Sequence, residues 1–89
     1  MNAVIFTKDN CLYCIKAKEI LVENNILYEE RILDVNGRDN RVLNEHQQWA
    51  TKDELLSAYP AAKTVPQIWL DDKHIGGYIE LNARFNDYA

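Results

Sequence analysis

The sequence predicts an α/β domain built in the order βαβ–α–ββα. Three observations carry that prediction. An apolar run, Ala3-Val4-Ile5-Phe6, precedes an amphipathic stretch from Leu12 to Asn24 and a second extended stretch from Ile26 to Asp34. Gln67 to Leu70 and Lys73-His74-Ile75 flank Asp71-Asp72 as the arms of a hairpin. Leu81 and Phe85, four residues apart behind Gly76-Gly77, mark a last helix.

Composition bounds the rest. The 89 residues have the length of one small domain, 1–89. Of them 47% are apolar and nine are aromatic, enough for a core without added disulfides. The net charge of −4 argues against a nucleic-acid partner, and the ten Lys and Arg lie scattered among acids. No stretch approaches membrane-spanning length, so no membrane partner is expected. The N-terminus lacks a charged region followed by a long apolar one, so no signal peptide is read and a reducing cytosol is expected. In that compartment a close cysteine pair is catalytic more often than structural.

Each element has a local reason. Asn2 to Phe6 is apolar on both faces, as a fully buried parallel strand is. Asp9 and Asn10 are suited to cap the helix that follows. Within it Cys14, Ala17, Ile20 and Leu21 form the apolar row, while Lys16, Lys18, Glu19 and Glu23 form the wet side. In Ile26–Asp34, Tyr28 and Ile32 share a face, and Glu29-Glu30-Arg31 implies less burial than in the first strand. Together these make a βαβ unit with parallel strands.

Asn36-Gly37 reads as a turn and Arg38 to Gln48 as a polar helix with Val42 and Leu43 on its apolar side. Trp49 reads as core or as a lid over it. Thr51 and Glu54 form a capping box for a helix from Lys52 to Ala58, whose buried side is Leu55, Leu56 and Tyr59 and which Pro60 ends. Lys63-Thr64-Val65-Pro66 leads into the hairpin, and Tyr78 to Asp87 closes the chain as a helix.

Cys11-Leu12-Tyr13-Cys14 carries the chemistry. It holds both cysteines at a strand-to-helix junction. Two sulfurs within one helical turn can close a small disulfide ring. The first meets unpaired N–H groups and the positive end of the helix dipole, which favour a thiolate. The thiolate is the attacking species in disulfide exchange. A zinc site wants four ligands; there is no second cysteine pair, and His46 and His74 are far apart, so no metal is expected. Chance spacing of two buried cysteines is the remaining alternative. Neither histidine is placed as a base for Cys11, which argues against a Cys–His hydrolase.

Four weaker signals accompany the pair. Thr64-Val65-Pro66 is either plain strand entry or a backbone held open for an extended substrate. Gly76-Gly77 is either a tight turn or a close approach of ligand to backbone ahead of a helix N-terminus. Lys8 is either a solvated loop lysine or a partner for a thiolate or carboxylate. Tyr13 is an aromatic wall or an exposed ring on the first turn.

In this order and spacing the motifs resemble those of the glutaredoxin family. Val4-Ile5-Phe6 with Cys11-Leu12-Tyr13-Cys14 resembles its first strand and Cys-Pro-Tyr-Cys motif. Lys16-Ala17-Lys18 is similar to the basic start of its first helix. Thr64-Val65-Pro66-Gln67-Ile68 resembles its cis-proline segment, and His74-Ile75-Gly76-Gly77-Tyr78 its Gly-Gly motif. The likeness covers nearly all the chain outside Arg38 to Ala62 and is greatest for small bacterial and phage dithiol members.

The resemblance implies a thioredoxin fold with a four-stranded mixed sheet flanked by helices. It implies glutathione-linked disulfide reduction by a monomer in the cytoplasm, the host's if a phage encodes the chain. No tightly bound cofactor is implied, glutathione being the reducing co-substrate. Carried over, Cys11 is the nucleophile and Cys14 the resolving thiol. Lys8 and Tyr13 border the glutathione groove, Thr64 belongs to the segment in which Val65 pairs with the glutathione backbone, and Pro66 is cis. Gly76, Gly77, Ile79 and Glu80 hold its γ-glutamyl end. Ribonucleotide reductase is a family-level protein substrate.

Three departures stand out. Leu12 replaces the proline between the cysteines, freeing the backbone there. Ile79-Glu80 stands where the family has a polar residue and usually aspartate; Ile79 accepts no hydrogen bond, leaving Glu80 to meet the γ-glutamyl amine. The connection from Val35 to Lys63 is longer than in the smallest members. Three rivals stand beside this reading, the first kept open by Ile79-Glu80. One is a thioredoxin-like reductant recharged by a flavoprotein reductase. Another is a non-enzymatic iron–sulfur carrier, with Cys11 of two chains and two glutathiones around a cluster. The last is a thioredoxin-fold binding module with incidental cysteines.

Overall fold

The computed structural model describes residues 1–34 and 42–86. Its elements are β1 (Asn2–Thr7), α1 (Leu12–Glu23), β2 (Leu27–Leu33), β3 (Gln47–Ala50), α2 (Lys52–Ala58), β4 (Gln67–Leu70), β5 (Lys73–Gly76) and α3 (Tyr78–Asn86). The expected turn at Asn36-Gly37, the first part of the expected helix and Asp87 lie outside the described residues.

The strands form one mixed sheet in the order β3-β2-β1-β4-β5. Apolar β1 is central: β2 runs parallel to it and β4 antiparallel. Alternation along β1 feeds two cores. Ala3 and Ile5 join Ala17, Ile20 and Leu21 of α1 and Leu81 of α3 in one. Phe6 and half-buried Val4 join Ala50 and Leu55 of α2 in the other. The sheet is thus covered on one side by α1 and α3 and on the other by α2.

The sheet has five strands, one more than the thioredoxin-fold expectation of four. The extra one is β3, which pairs parallel with β2 where a helix reaching Gln48 was expected. The cause is local. Asn44 Oδ1 accepts the His46 N–H at 2.8 Å, and Gln47 Oε1 accepts the Asn44 N–H at 3.1 Å. Such side-chain bonds satisfy the backbone outside a helix. The turn they fix presents the His46 carbonyl to the Glu30 N–H at 2.8 Å, which starts the ladder. Val42, expected on an apolar helix face, is 92% exposed.

Elsewhere the local chemistry holds. Thr51 and Glu54 form the capping box of α2. Asp71 and Asp72 take φ of 47° and 70°, the left-handed values of a two-residue hairpin turn. Among the described residues no helix is long and apolar enough to cross a membrane.

Candidate functional site: a cysteine pair at a helix N-terminus

The cap of α1 is Cys11 itself, not Asp9 or Asn10. Asn10 turns the chain with φ of 57°, a left-handed value that asparagine tolerates, and Cys11 then takes the extended N-cap conformation. Its sulfur accepts the Cys14 N–H at 3.2 Å, and its carbonyl accepts the Ile15 N–H at 3.2 Å. A thiolate at that position receives a backbone N–H and the positive helix end together. Cys11 and Cys14 are joined as a disulfide, Cα atoms 5.2 Å apart. Cys11 is 9% exposed and Cys14 2%, so an incoming sulfur meets Cys11 first.

The loop before β4 lies against this sulfur. Cys11 Sγ is 3.8 Å from the Val65 carbonyl oxygen, and the Val65-Pro66 bond is cis. Beyond it opens a groove of about 790 Å³. Tyr13, Thr64, Val65 and Pro66 line it, as do Gly76, Gly77, Ile79 and Glu80. Eight of the nine binding residues expected from the sequence thus converge. Lys8 does not join them; it lines a neighbouring groove that shares Thr64 and Val65.

The glycines have a steric reason. Gly76 sits at φ of 121°, and a Cβ on Gly77 would meet the Pro66 carbonyl oxygen at 3.1 Å. Gly77 thereby lets α3 begin close against the cis-proline loop. Across the groove mouth Tyr13 stacks on Tyr78, ring centroids 5.4 Å apart, with Lys16 Nζ 5.8 Å from the Tyr13 centroid. Leu12 and Ile79, chain neighbours of the two tyrosines, are 61% and 73% exposed.

Two groups were missed in sequence. His74, read as a bystander, is a groove-lining residue. Its Nε2 lies 2.7 Å from Gln67 Oε1, while Gln67 Nε2 donates to the Thr64 carbonyl at 2.9 Å. The His74 ring stacks on Tyr59 with centroids 4.1 Å apart. The available signal was a glutamine at the head of an apolar strand. Glu30 is the second. Only 4% exposed, it accepts from Thr7 Oγ1 at 2.7 Å, Lys18 Nζ at 2.9 Å and Gln47 Nε2 at 3.0 Å. Burial pushes its carboxyl up, but the bonds from Gln47, Thr7 and Lys18 and the Lys18 charge outweigh that and hold it below its ordinary value. Among the described residues no cluster of three or more His, Cys, Asp or Glu is placed to hold a metal ion.

The sheet order, the helices on both faces and a dithiol beside a cis-proline loop define a thioredoxin-fold domain. A glutaredoxin family model matches residues 3–75. Glutaredoxin 1 of Rickettsia felis is 39% identical over 74 residues, 83% of this chain and 62% of that protein. Glutaredoxin 3 of Escherichia coli K12 is 34% identical over 82 residues, 92% of this chain and 83% of that one. The structure of glutaredoxin 1 from Francisella tularensis, complexed with cacodylate, superposes with a TM-score of 0.63 at 31% identity, covering 93% of this chain and 90% of that one. Reduced Escherichia coli glutaredoxin gives 0.60 at 29% identity, covering 99% and 96%. The chain belongs to the glutaredoxin family. It spans less than two thirds of the length of the rickettsial relative.

Proposed function

We propose that residues 1–89 work as one domain that reduces disulfides of proteins, and mixed disulfides with glutathione, at the expense of glutathione. The observation that carries this reading is Cys11: a helix-capping sulfur, bonded by the Cys14 N–H and set against the Val65 carbonyl at the head of a peptide-sized groove. The Cys11 thiolate attacks one sulfur of the substrate disulfide. A Cys11–substrate bond forms, the substrate S–S bond breaks, and the leaving thiolate takes a proton from water. Cys14 loses its proton and attacks Cys11 Sγ, releasing the second substrate thiol and closing the Cys11–Cys14 disulfide. Two glutathiones reopen it in succession, supplying the two electrons, and leave as glutathione disulfide. With a glutathione mixed disulfide Cys11 suffices.

In this reading Val65 pairs with the glutathione backbone beside Pro66, Tyr13 and Thr64 border it, and Lys8 meets its far end. Gly76, Gly77, Ile79 and Glu80 take the γ-glutamyl end. Protein disulfides, ribonucleotide reductase among them, are the macromolecular substrates, met by a monomer in a reducing cytoplasm. One observation favours a second reading, a thioredoxin-like reductant recharged by a flavoprotein. The Gly77 N–H, which a ligand carboxylate would take, is already bonded to Glu80.

Recharging separates the two. The oxidised protein and a small disulfide are supplied with NADPH, glutathione and glutathione reductase, or with NADPH and thioredoxin reductase. NADPH loss is expected only with glutathione; loss only with thioredoxin reductase would reject the glutathione reading and keep the dithiol.

A further inference from the structure

The His74 ring carries a hydrogen-bonding atom that the fold does not use. Its Nε2 lies 2.7 Å from Gln67 Oε1, an oxygen that only accepts, so in the neutral ring Nε2 holds the proton and donates. The orientation of the Gln67 amide is itself set, because Gln67 is buried and its Nε2 donates to the Thr64 carbonyl at 2.9 Å. With the proton so placed, Nδ1 is a bare acceptor. Among the described residues no group donates to it, and it is not sealed from solvent. Tyr59 and Trp69 pack on the ring with centroids 4.1 and 4.8 Å away and hold it in place. A fixed acceptor, oriented through a buried amide, thus stands in the wall of the groove that begins beside Cys11 at Val65.

We propose that His74 Nδ1 accepts a backbone N–H of a disulfide-bearing polypeptide substrate and so helps the groove to prefer polypeptide disulfides over small ones. This deepens the disulfide-reductase reading and rests on it for the role of Cys11. His74 binds and is not a base: it meets a neutral donor and takes up no proton. The groove passes along β5, at the edge of the sheet, by way of His74, Ile75 and Gly76. The residues given above to glutathione leave its Tyr59, Ala61 and His74 stretch unassigned. A polypeptide whose half-cystine meets Cys11 has chain on both sides of its sulfur, and that chain needs room beyond a tripeptide's. A backbone N–H is the donor that such a chain carries whatever its side chains, which suits a reductase of varied proteins.

A short peptide with serine in place of the half-cystine meets the groove without reacting. It is titrated at about pH 8, where imidazole is neutral, into protein whose histidine nitrogens are isotope-labelled. The Nδ1 signal of His74 is expected to shift while Nε2 keeps its proton. Peptides methylated at one backbone nitrogen each follow. One of them should lose the Nδ1 shift and bind about three- to tenfold more weakly, the share of one ordinary hydrogen bond. Two variants control for the ring. Asparagine can set an amide oxygen where Nδ1 stands, whereas glutamine can set an amide nitrogen where Nε2 stands. His74→Asn should therefore keep the peptide affinity, and His74→Gln should lose about three- to tenfold. Both variants lose the stack on Tyr59, so a packing role would weaken both alike. A silent Nδ1, methylated peptides that all bind as the parent does, or equal affinities of the two variants would each overturn the proposal. An equal Nδ1 shift with S-methylglutathione would give the acceptor to glutathione and overturn it too. Turnover of hydroxyethyl disulfide, which has no N–H, is measured in parallel. Its absence would sink the reductase reading while the ring signal still decides the docking, and its presence with a silent Nδ1 would sink the docking alone.

Discussion

Glu80 Oε1 accepts the Gly77 backbone N–H at 2.6 Å, so the third residue of α3 closes the helix's own N-terminus. Gly77 in turn accepts the Leu81 N–H at 3.1 Å. A Cβ on Gly76 would meet the same carboxylate at 2.5 Å, so Glu80 lies folded over the Gly-Gly backbone at the groove wall. A fixed carboxylate there suits a ligand's ammonium group. Glu80→Gln keeps an acceptor for Gly77 and removes the charge. It should raise the KM for glutathione about tenfold, the lower end of a charged hydrogen bond's contribution. Turnover driven by dithiothreitol, which carries no ammonium, should be unchanged. An equal loss with both reductants would assign Glu80 to capping alone.

The two cysteines should divide their labour as their exposure does. Cys11→Ser should abolish every turnover. Cys14→Ser should retain reduction of glutathione mixed disulfides and lose reduction of protein disulfides, which need the second sulfur to release the product. Both activities are measured side by side on each variant. Full protein-disulfide reduction by Cys14→Ser would reject the dithiol step.

Most of the fold was legible because it rests on local signals. The apolar run of β1, the row Cys14, Ala17 and Leu21, the Thr51–Glu54 box and the Asp71-Asp72 turn each act within a few residues, and each appears where the sequence places it. The failures are tertiary. Gln47 to Ala50 carries no strong strand pattern; it becomes a strand because the edge of β2 is open to it and Asn44 turns the chain there. Glu30 sat within a charged triplet that implied solvent, and only the folded sheet brings Thr7, Lys18 and Gln47 to it. The site was legible as separate motifs, but the distance from Cys11 to Val65, the displacement of Lys8 into a second groove and the His74–Gln67–Thr64 chain were not.

That chain carries its own expectation. Gln67 is buried, and its two amide ends tie the His74 ring to the Thr64 carbonyl in the loop that faces Cys11. Because Gln67 Oε1 only accepts, a neutral His74 carries its proton on Nε2. Gln67→Leu leaves both partners unpaired and should cost about 1–3 kcal/mol, with the midpoint falling about 4–8 °C per kcal/mol in a domain of this size. In the folded variant KM for the substrate disulfide should rise more than kcat falls, since the loop binds and does not react. The His74 nitrogen shifts should report loss of the fixed tautomer. Unchanged shifts would mean that Gln67 does not hold the ring.

Glu30 makes stability depend on acid in a defined direction. Its carboxyl is held below its ordinary value of 4.5, so the folded chain favours the anion more than the unfolded chain does. The stabilisation is therefore complete above that ordinary value and is lost as pH falls through the lower folded-state value. Glu30→Gln should cost about 1–3 kcal/mol near neutral pH, because it trades charged hydrogen bonds for neutral ones in a buried place. Lys18→Met should cost less than about 1 kcal/mol, because the Lys18 side chain is 28% exposed and solvent screens its share. Urea midpoints of all three proteins, measured from pH 7 downward, should run parallel until the ordinary value is passed. Below it the wild type should converge on Glu30→Gln as its own carboxylate takes up a proton. A gap that stays constant to the lowest pH would show that the Glu30 charge does not contribute. Lys18 stands one helical turn beyond Cys14, so disulfide turnover by either folded variant at neutral pH should match the wild type.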